Sequence, residues 1–257
     1  MSVDLHAVTE GQADGPAVVF GGSLGSDLRM WGPQVEPLVR QGFRVIRYDH
    51  RGHGGSPVPA GPYELADLGG DLIALLDSLA IERAHVVGLS LGGMAAMWAG
   101  IHAPERVASL VLCCTSAKLG PAQLWIDRAK AVRESGTGSI AEMLVSRWLT
   151  PAFASANPGR MAFLRDMITA TPDDGYAACC GAIERMDLLP RLPEIAAPTL
   201  VIAGSEDAST PPGHGGLIAG AVPGARLEIV EGVAHLGSFQ RPDVFTDLIL
   251  EHLKGAS

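Results

Sequence analysis

The stretch from His85 to Trp98 constrains the chain most. An apolar run, Val86-Val87, breaks into Gly88-Leu89-Ser90-Leu91-Gly92, and a small-residue pattern, Gly93-Met94-Ala95-Ala96-Met97, follows at once. A buried strand entering a sharp turn and leaving as a helix is written this way, with a serine at the apex. The turn holds that serine in a sparsely populated backbone conformation, so the flanking glycines must leave room where larger side chains would clash. The helix that follows aims free N–H groups and a positive dipole end at whatever the serine attacks.

The same pentapeptide pattern occurs a second time, in Gly21-Gly22-Ser23-Leu24-Gly25. Context separates the two copies. Ser26, Asp27 and Arg29 follow the first and mark a polar loop, whereas a helix able to pack on a sheet follows Ser90. Ser90 is therefore the candidate nucleophile.

A serine hydroxyl needs a base within hydrogen-bond reach. In an open parallel sheet, reactive groups collect at the carboxyl ends of the strands. The order serine, acid, histidine then selects two later residues. Asp207 follows the strand pattern Thr199 to Ala203, and His235 follows the strand pattern Arg226 to Val230. Glu206 is the alternative acid. His214 follows no strand and His252 lies on a terminal helix, so both rank behind His235. The oxyanion formed by serine attack needs two N–H donors. One is expected from Leu91 and the other from the Gly21–Gly25 loop, at Ser23 with Leu24 as the off-by-one alternative.

The remaining elements frame this constellation. Weak alternation over Val3 to Val8 suggests an edge strand; Ala17 to Phe20, Phe43 to Tyr48 and Val107 to Cys113 read as further strands. Helices are expected over Met30 to Arg40, Tyr63 to Leu79, Pro212 to Ala221 and Pro242 to Leu253. The alternation implies an α/β fold with a mostly parallel, doubly wound sheet. Between about Ala117 and Asp187 the strand signals vanish. Four helical patterns take their place: Pro121–Glu134, Ser139–Leu149, Pro158–Thr169 and Pro172–Met186, the last with Thr171 as its cap. The expected organisation is a core of residues 1–116 and 188–257 carrying an inserted helical cap, 117–187.

Composition excludes several classes. The net charge of −9 argues against a nucleic-acid surface. No apolar run is long enough to span a bilayer, and the N-terminus lacks a basic region followed by an apolar core, so the cytoplasm is the expected location. Cys113-Cys114 and Cys179-Cys180 are adjacent pairs without zinc-ligand spacing and read as packed thiols. His50 and His53, in the turn-rich loop Asp49 to Pro57, lack the partners a metal site wants; no metal or other cofactor is expected. Asp49 and Arg51 are expected to fix that loop.

At this point the chain resembles an α/β-hydrolase, and within that superfamily the 3-oxoadipate enol-lactonase family. The resemblance covers nearly the whole chain and runs through 23–31, 88–94 and 104–107. Its more specific part is the cap: Ala117-Lys118-Leu119-Gly120, Arg147-Trp148-Leu149-Thr150-Pro151-Ala152-Phe153 and Gly175-Tyr176-Ala177-Ala178-Cys179-Cys180. Phe20-Gly21-Gly22 and the residues from Ala234 to Phe239 depart from the family pattern beside the site. The resemblance implies a Ser90-His235-Asp207 triad opening a small lactone, with no cofactor; carboxylesterase, perhydrolase and non-turnover receptor are the competing readings. Such a lactone carries a carboxylate, which an acidic protein must hold with a local cation. The cap supplies Lys118, Arg128, Lys130, Arg133, Arg147 and Arg165. Arg133 and Arg147 are the preferred pair, Trp125 and Trp148 are candidates to pack on the ring, and Arg29 is the candidate outside the cap.

Overall fold

The structure, a computed structural model, describes residues 2–256. Its seven strands are β1 (Ala7–Glu10), β2 (Ala17–Gly21), β3 (Arg44–Tyr48), β4 (Ala84–Leu89), β5 (Val107–Cys113), β6 (Thr199–Gly204) and β7 (Arg226–Val230). They form one sheet in the order β1-β3-β2-β4-β5-β6-β7. Only β1 runs antiparallel to its neighbour; every other pair is parallel. Strands β4 and β6 are buried along their whole length, as the continuous apolar runs require.

The edge strand begins later than its alternation suggests. Pairing starts at Ala7 opposite Tyr48, while the Val3 amide is drawn off to the Asp71 carboxylate at 2.9 Å. Three helices fill the first half: α1 (Gly32–Arg40), α2 (Leu65–Ser78) and α3 (Leu91–His102). Helix α2 starts on a capping box in which Glu64 and Asp67 satisfy each other's backbone. Helix α3 leaves the sheet directly from Ser90. It packs so closely that a Cβ on Gly92 would lie 2.2 Å from the Gly21 oxygen, and one on Gly88 2.3 Å from the Gly92 carbonyl.

Between β5 and β6 stand five helices, not four: α4 (Ala122–Ser135), α5 (Gly138–Trp148), α6 (Pro151–Ala156), α7 (Pro158–Thr169) and α8 (Asp173–Arg185). Helix α6 is under two turns long, too short to show a 3.6-residue period. Local chemistry nevertheless marks it, since Pro151 sits in its first turn and the Thr150 hydroxyl accepts the Phe153 N–H. Thr171 does not cap α8. Its hydroxyl donates backwards to the Met167 carbonyl at 3.1 Å and closes α7 instead. The last helices are α9 (Pro212–Ala221), α10 (Gly237–Gln240) and α11 (Pro242–Gly255). Among the described residues no helix is long and apolar enough to cross a membrane.

Candidate active site

Ser90 sits between β4 and α3 with φ 54° and ψ −111°, outside the regions an ordinary side chain prefers. Besides the first bond of α3, from the Met94 N–H to its carbonyl, two bonds hold it there. Its N–H donates to the Cys113 carbonyl at 3.0 Å, and its own carbonyl accepts the Thr115 hydroxyl at 2.7 Å. Thr115 was not singled out in the sequence. It follows β5 by two residues and packs on Gly93, where a Cβ would come within 2.7 Å of it.

Asp207 and His235 follow β6 and β7 and meet: His235 Nδ1 lies 2.8 Å from Asp207 Oδ2, with both side chains buried. Asp207 also closes the turn after its strand. Its Oδ1 accepts the N–H groups of Ser209 and Thr210 at 2.7 and 3.0 Å, and its Oδ2 accepts the Thr210 hydroxyl at 2.7 Å. Burial pushes the Asp207 pKa up, but His235 and these Thr210 bonds outweigh burial and hold the carboxyl below its usual value. The anion then fixes the proton on His235 Nδ1 and leaves Nε2 as the accepting nitrogen. Glu206, the alternative acid, is exposed.

The second oxyanion donor is where the sequence expectation needs correction. The Ser23 N–H is engaged by the Met30 sulfur at 3.5 Å. The Ser23 carbonyl is held by Ser26, whose N–H and hydroxyl reach it at 3.0 and 2.8 Å. A trans peptide sets C=O and N–H in opposite directions. The Leu24 N–H therefore points opposite to Ser26, and it has no hydrogen-bond partner among the described residues. Leu91, first residue of α3, likewise has an N–H beyond the reach of intrahelical bonding.

Ser90 and His235 open into a cavity of about 240 Å³ walled in part by the helices between β5 and β6. Of the substrate-binding candidates, Trp125, Arg147 and Trp148 line it, as do Ser23 and Leu24, the oxyanion-donor candidates. Arg133 does not; it is exposed. Arg128 takes its place, five residues and about one and a half turns earlier on the same helix, half-buried with its guanidinium 4.7 Å over the Trp125 ring. The other cap cations are answered by acids: Lys118 by Asp187 at 2.6 Å, Lys130 by Glu134 at 3.9 Å and Arg165 by Glu142 at 3.0 Å. Arg29 is paired with Asp27 at 2.6 Å. Arg128 and Arg147 make no ion pair among the described residues.

Two further cavity residues were given no binding role from the sequence. The Tyr176 hydroxyl of α8 is buried and makes no hydrogen bond to any described residue. Burial raises its pKa, and the nearby Arg128 guanidinium pulls it partly back. His214, set aside because no strand precedes it, reaches the cavity from the first turn of α9. Its Nδ1 lies 2.7 Å from the Ser116 hydroxyl. That hydroxyl gives its own proton to the Lys118 carbonyl at 2.6 Å, so His214 must donate from Nδ1.

The four cysteines are buried free thiols, and burial pushes their pKa values up, Cys180 to about 12. They are inert packing groups.

This architecture, a strained serine at the strand–helix turn with acid and histidine after later strands, is that of the α/β-hydrolases, and the chain belongs to that family. The family's alpha/beta hydrolase fold description matches residues 16–242. The protein is similar to 3-oxoadipate enol-lactonase 2 of Acinetobacter baylyi, 40% identical over 96% of this chain and 92% of that protein. It is also similar to the crystal structure of the enol-lactonase from Burkholderia xenovorans LB400, with a TM-score of 0.96, 37% identity, and coverage of 98% of this chain and 97% of that one. A thermophilic esterase from Thermogutta terrifontis matches with a TM-score of 0.92, 31% identity, and coverage of 99% and 94%.

Proposed function

We propose that this hydrolase opens the lactone ring of 3-oxoadipate enol-lactone, releasing 3-oxoadipate within aromatic-compound degradation. The observation that carries the reading is the unpaired Arg128 in the wall of the cavity that holds Ser90 and His235. In a chain of net charge −9, an unanswered guanidinium beside a nucleophile supports an anionic substrate. The two similar enol-lactonases support the same substrate class.

His235 Nε2 takes the Ser90 proton as Oγ attacks the lactone carbonyl, and Asp207 stabilises the imidazolium. The Leu91 and Leu24 N–H groups receive the developing oxyanion. Collapse of the tetrahedral adduct breaks the acyl–oxygen bond, and the ring oxygen takes the proton back from His235 Nε2 and leaves as an enol, returning His235 to its neutral form. An enol is a better leaving group than an alkoxide, so this step leans less on a general acid. Water activated by His235 then releases the acyl group from Ser90, and the enol ketonises. The Trp125 and Trp148 rings supply apolar walls for the lactone.

The test is direct hydrolysis of the enol-lactone, followed by its loss of ultraviolet absorbance. Turnover that favours simple p-nitrophenyl esters over the enol-lactone would favour a carboxylesterase, the reading supported by the Thermogutta likeness. Failure of a fluorophosphonate probe to label Ser90 would favour a binding protein without turnover.

A further inference from the structure

The loop Asp49–Pro57 joins β3 to the rest of the core and lies far in sequence from Ser90, yet its side chains grip the loop that carries Leu24. Asp49 Oδ1 accepts the Leu28 N–H at 2.7 Å, His50 Nε2 meets the Gly22 carbonyl at 3.1 Å, and His53 Nε2 meets the Gly25 N–H at 2.9 Å. These three bonds fall on both sides of Leu24. Gly25 is also the residue whose φ of +82° turns the chain back after it.

The protonation of His53 follows from its neighbours. Its Nδ1 lies 3.2 Å from the Arg51 carbonyl, which can only accept. The proton therefore sits on Nδ1, and Nε2 offers a lone pair to Gly25. Arg51 is itself fixed by a two-point ion pair to Asp71, at 2.6 and 2.7 Å, with its guanidinium 5.2 Å over the Tyr63 ring. The next residue, Gly52, is wedged against the cap: a Cβ there would lie 2.6 Å from the Gly175 Cα of α8. His53 thus stands on a support that cannot yield easily. Burial keeps both rings in their neutral form, pushing His50 down to about 3 and lowering His53 as well.

We propose that His53 is a positioning residue for the oxyanion site: its Nε2 lone pair holds the Gly25 amide and so sets the direction of the Leu24 N–H. The proposal rests on Ser90 as nucleophile and on Leu24 and Leu91 as oxyanion donors, but not on the identity of the lactone. Ser26 fixes one side of the Ser23–Leu24 peptide plane, His53 fixes the residue that follows, and Leu24 is left a single direction. Without the His53 bond the plane is free to rock about its Ser26 anchor, and a donor off its line loses strength steeply. The ground-state substrate does not use this donor fully, so the loss falls on the transition state.

Two isosteric substitutions separate the ring nitrogens. His53→Gln places an amide oxygen near Nε2 and keeps an acceptor for Gly25, whereas His53→Asn reaches only the Nδ1 position. With p-nitrophenyl acetate as substrate, His53→Asn is expected to lower kcat by about 10- to 100-fold with KM unchanged, part of the loss that follows complete removal of an oxyanion donor. Phenylboronic acid, whose tetrahedral adduct on Ser90 places an oxygen in the same site, is expected to weaken by the same factor. His53→Gln should stay within about threefold of the parent on both measures. Equal kcat in the two variants, or parallel loss of KM and kcat in the Asn variant, overturns the proposal. A measurement on the unaltered protein stands if either variant fails to fold. Histidine ¹⁵N spectra should show His53 protonated at Nδ1 and bare at Nε2, with a slowly exchanging Gly25 amide; a proton on Nε2 refutes the assignment. Absence of enol-lactone hydrolysis in the parent enzyme would remove the lactonase reading and leave these readouts intact.

Discussion

Replacing Arg128 with Met isolates the charge that the proposed function needs. Met keeps a stem of similar length but removes the guanidinium and with it the stacking on Trp125. At about 4 Å, a unit charge pair at an effective dielectric of about 20 is worth about 4 kcal/mol. Arg128 is half-buried and must lose part of its hydration, so about half of that survives as net binding. About 2 kcal/mol corresponds to roughly 30-fold. The assay compares the enol-lactone acid with its methyl ester, which has nearly the same shape and no charge. KM for the acid should rise about 30-fold while the ester changes less than about twofold. Arg147, exposed at the rim, should contribute about 0–1 kcal/mol and a KM change below about fivefold on substitution by Met. Arg133→Met, outside the cavity, is the control and should leave both substrates unaffected. Tyr176→Phe tests the orphan hydroxyl beside Arg128: the acid should weaken about tenfold, while thermal stability holds or rises because no internal hydrogen bond is lost. Parallel losses on acid and ester in Arg128→Met would refute the argument, since a missing charge cannot discriminate against a neutral ring.

Three further outcomes follow from the same geometry. Ser90→Ala should reduce turnover by about 10⁴-fold or more, whereas Ser23→Ala, which keeps every backbone N–H, should cost less than about tenfold; comparable losses would reverse the choice between the two serines. Asp207→Asn should leave the far-ultraviolet spectrum intact and cost about 10⁴-fold in kcat, because the amide cannot stabilise the imidazolium or hold its tautomer; full activity would return Glu206 to consideration. Acid should destabilise the fold well above the carboxylate range. Burial pushes His50 down to about 3 and His85 to about 4, so between pH 6.5 and those values the unfolded chain binds protons that the native chain refuses. Native stability therefore falls as pH drops, by about 1.4 kcal/mol per pH step for each histidine, or about 4 kcal/mol for the pair at pH 5. Urea midpoints at pH 7.5 and pH 5 measure it, and an unchanged midpoint would mean that one or both rings take up a proton in the native state.

The parts of the site legible in the sequence are those fixed by chain order along a strand. Asp207 and His235 each stand just past a continuous apolar run, and a parallel sheet delivers the ends of such runs to one edge whatever the loops do. The parts that stayed hidden depend on rotation. Ser23 and Leu24 differ by one peptide plane, and the choice between them is made by the Met30 sulfur and the Ser26 hydroxyl, which pull the Ser23 N–H and C=O apart. No pattern of residue types encodes that pull. Arg128 and Arg133 stand five residues apart on α4, about 140° around the helix at 100° per residue, so only one of them can face the cavity. The apolar pattern could not say which. Leu124, which also lines the cavity, is largely exposed, so the stripe that marks a buried face is blurred where a binding face begins. His214 was missed for a related reason: it comes from the first turn of a helix, not from a strand end, and its orientation depends on Ser116, 98 residues away. Order along the sheet brought Ser90, Asp207 and His235 to one edge; Arg128 and His214 sit on helices whose phase only packing decides.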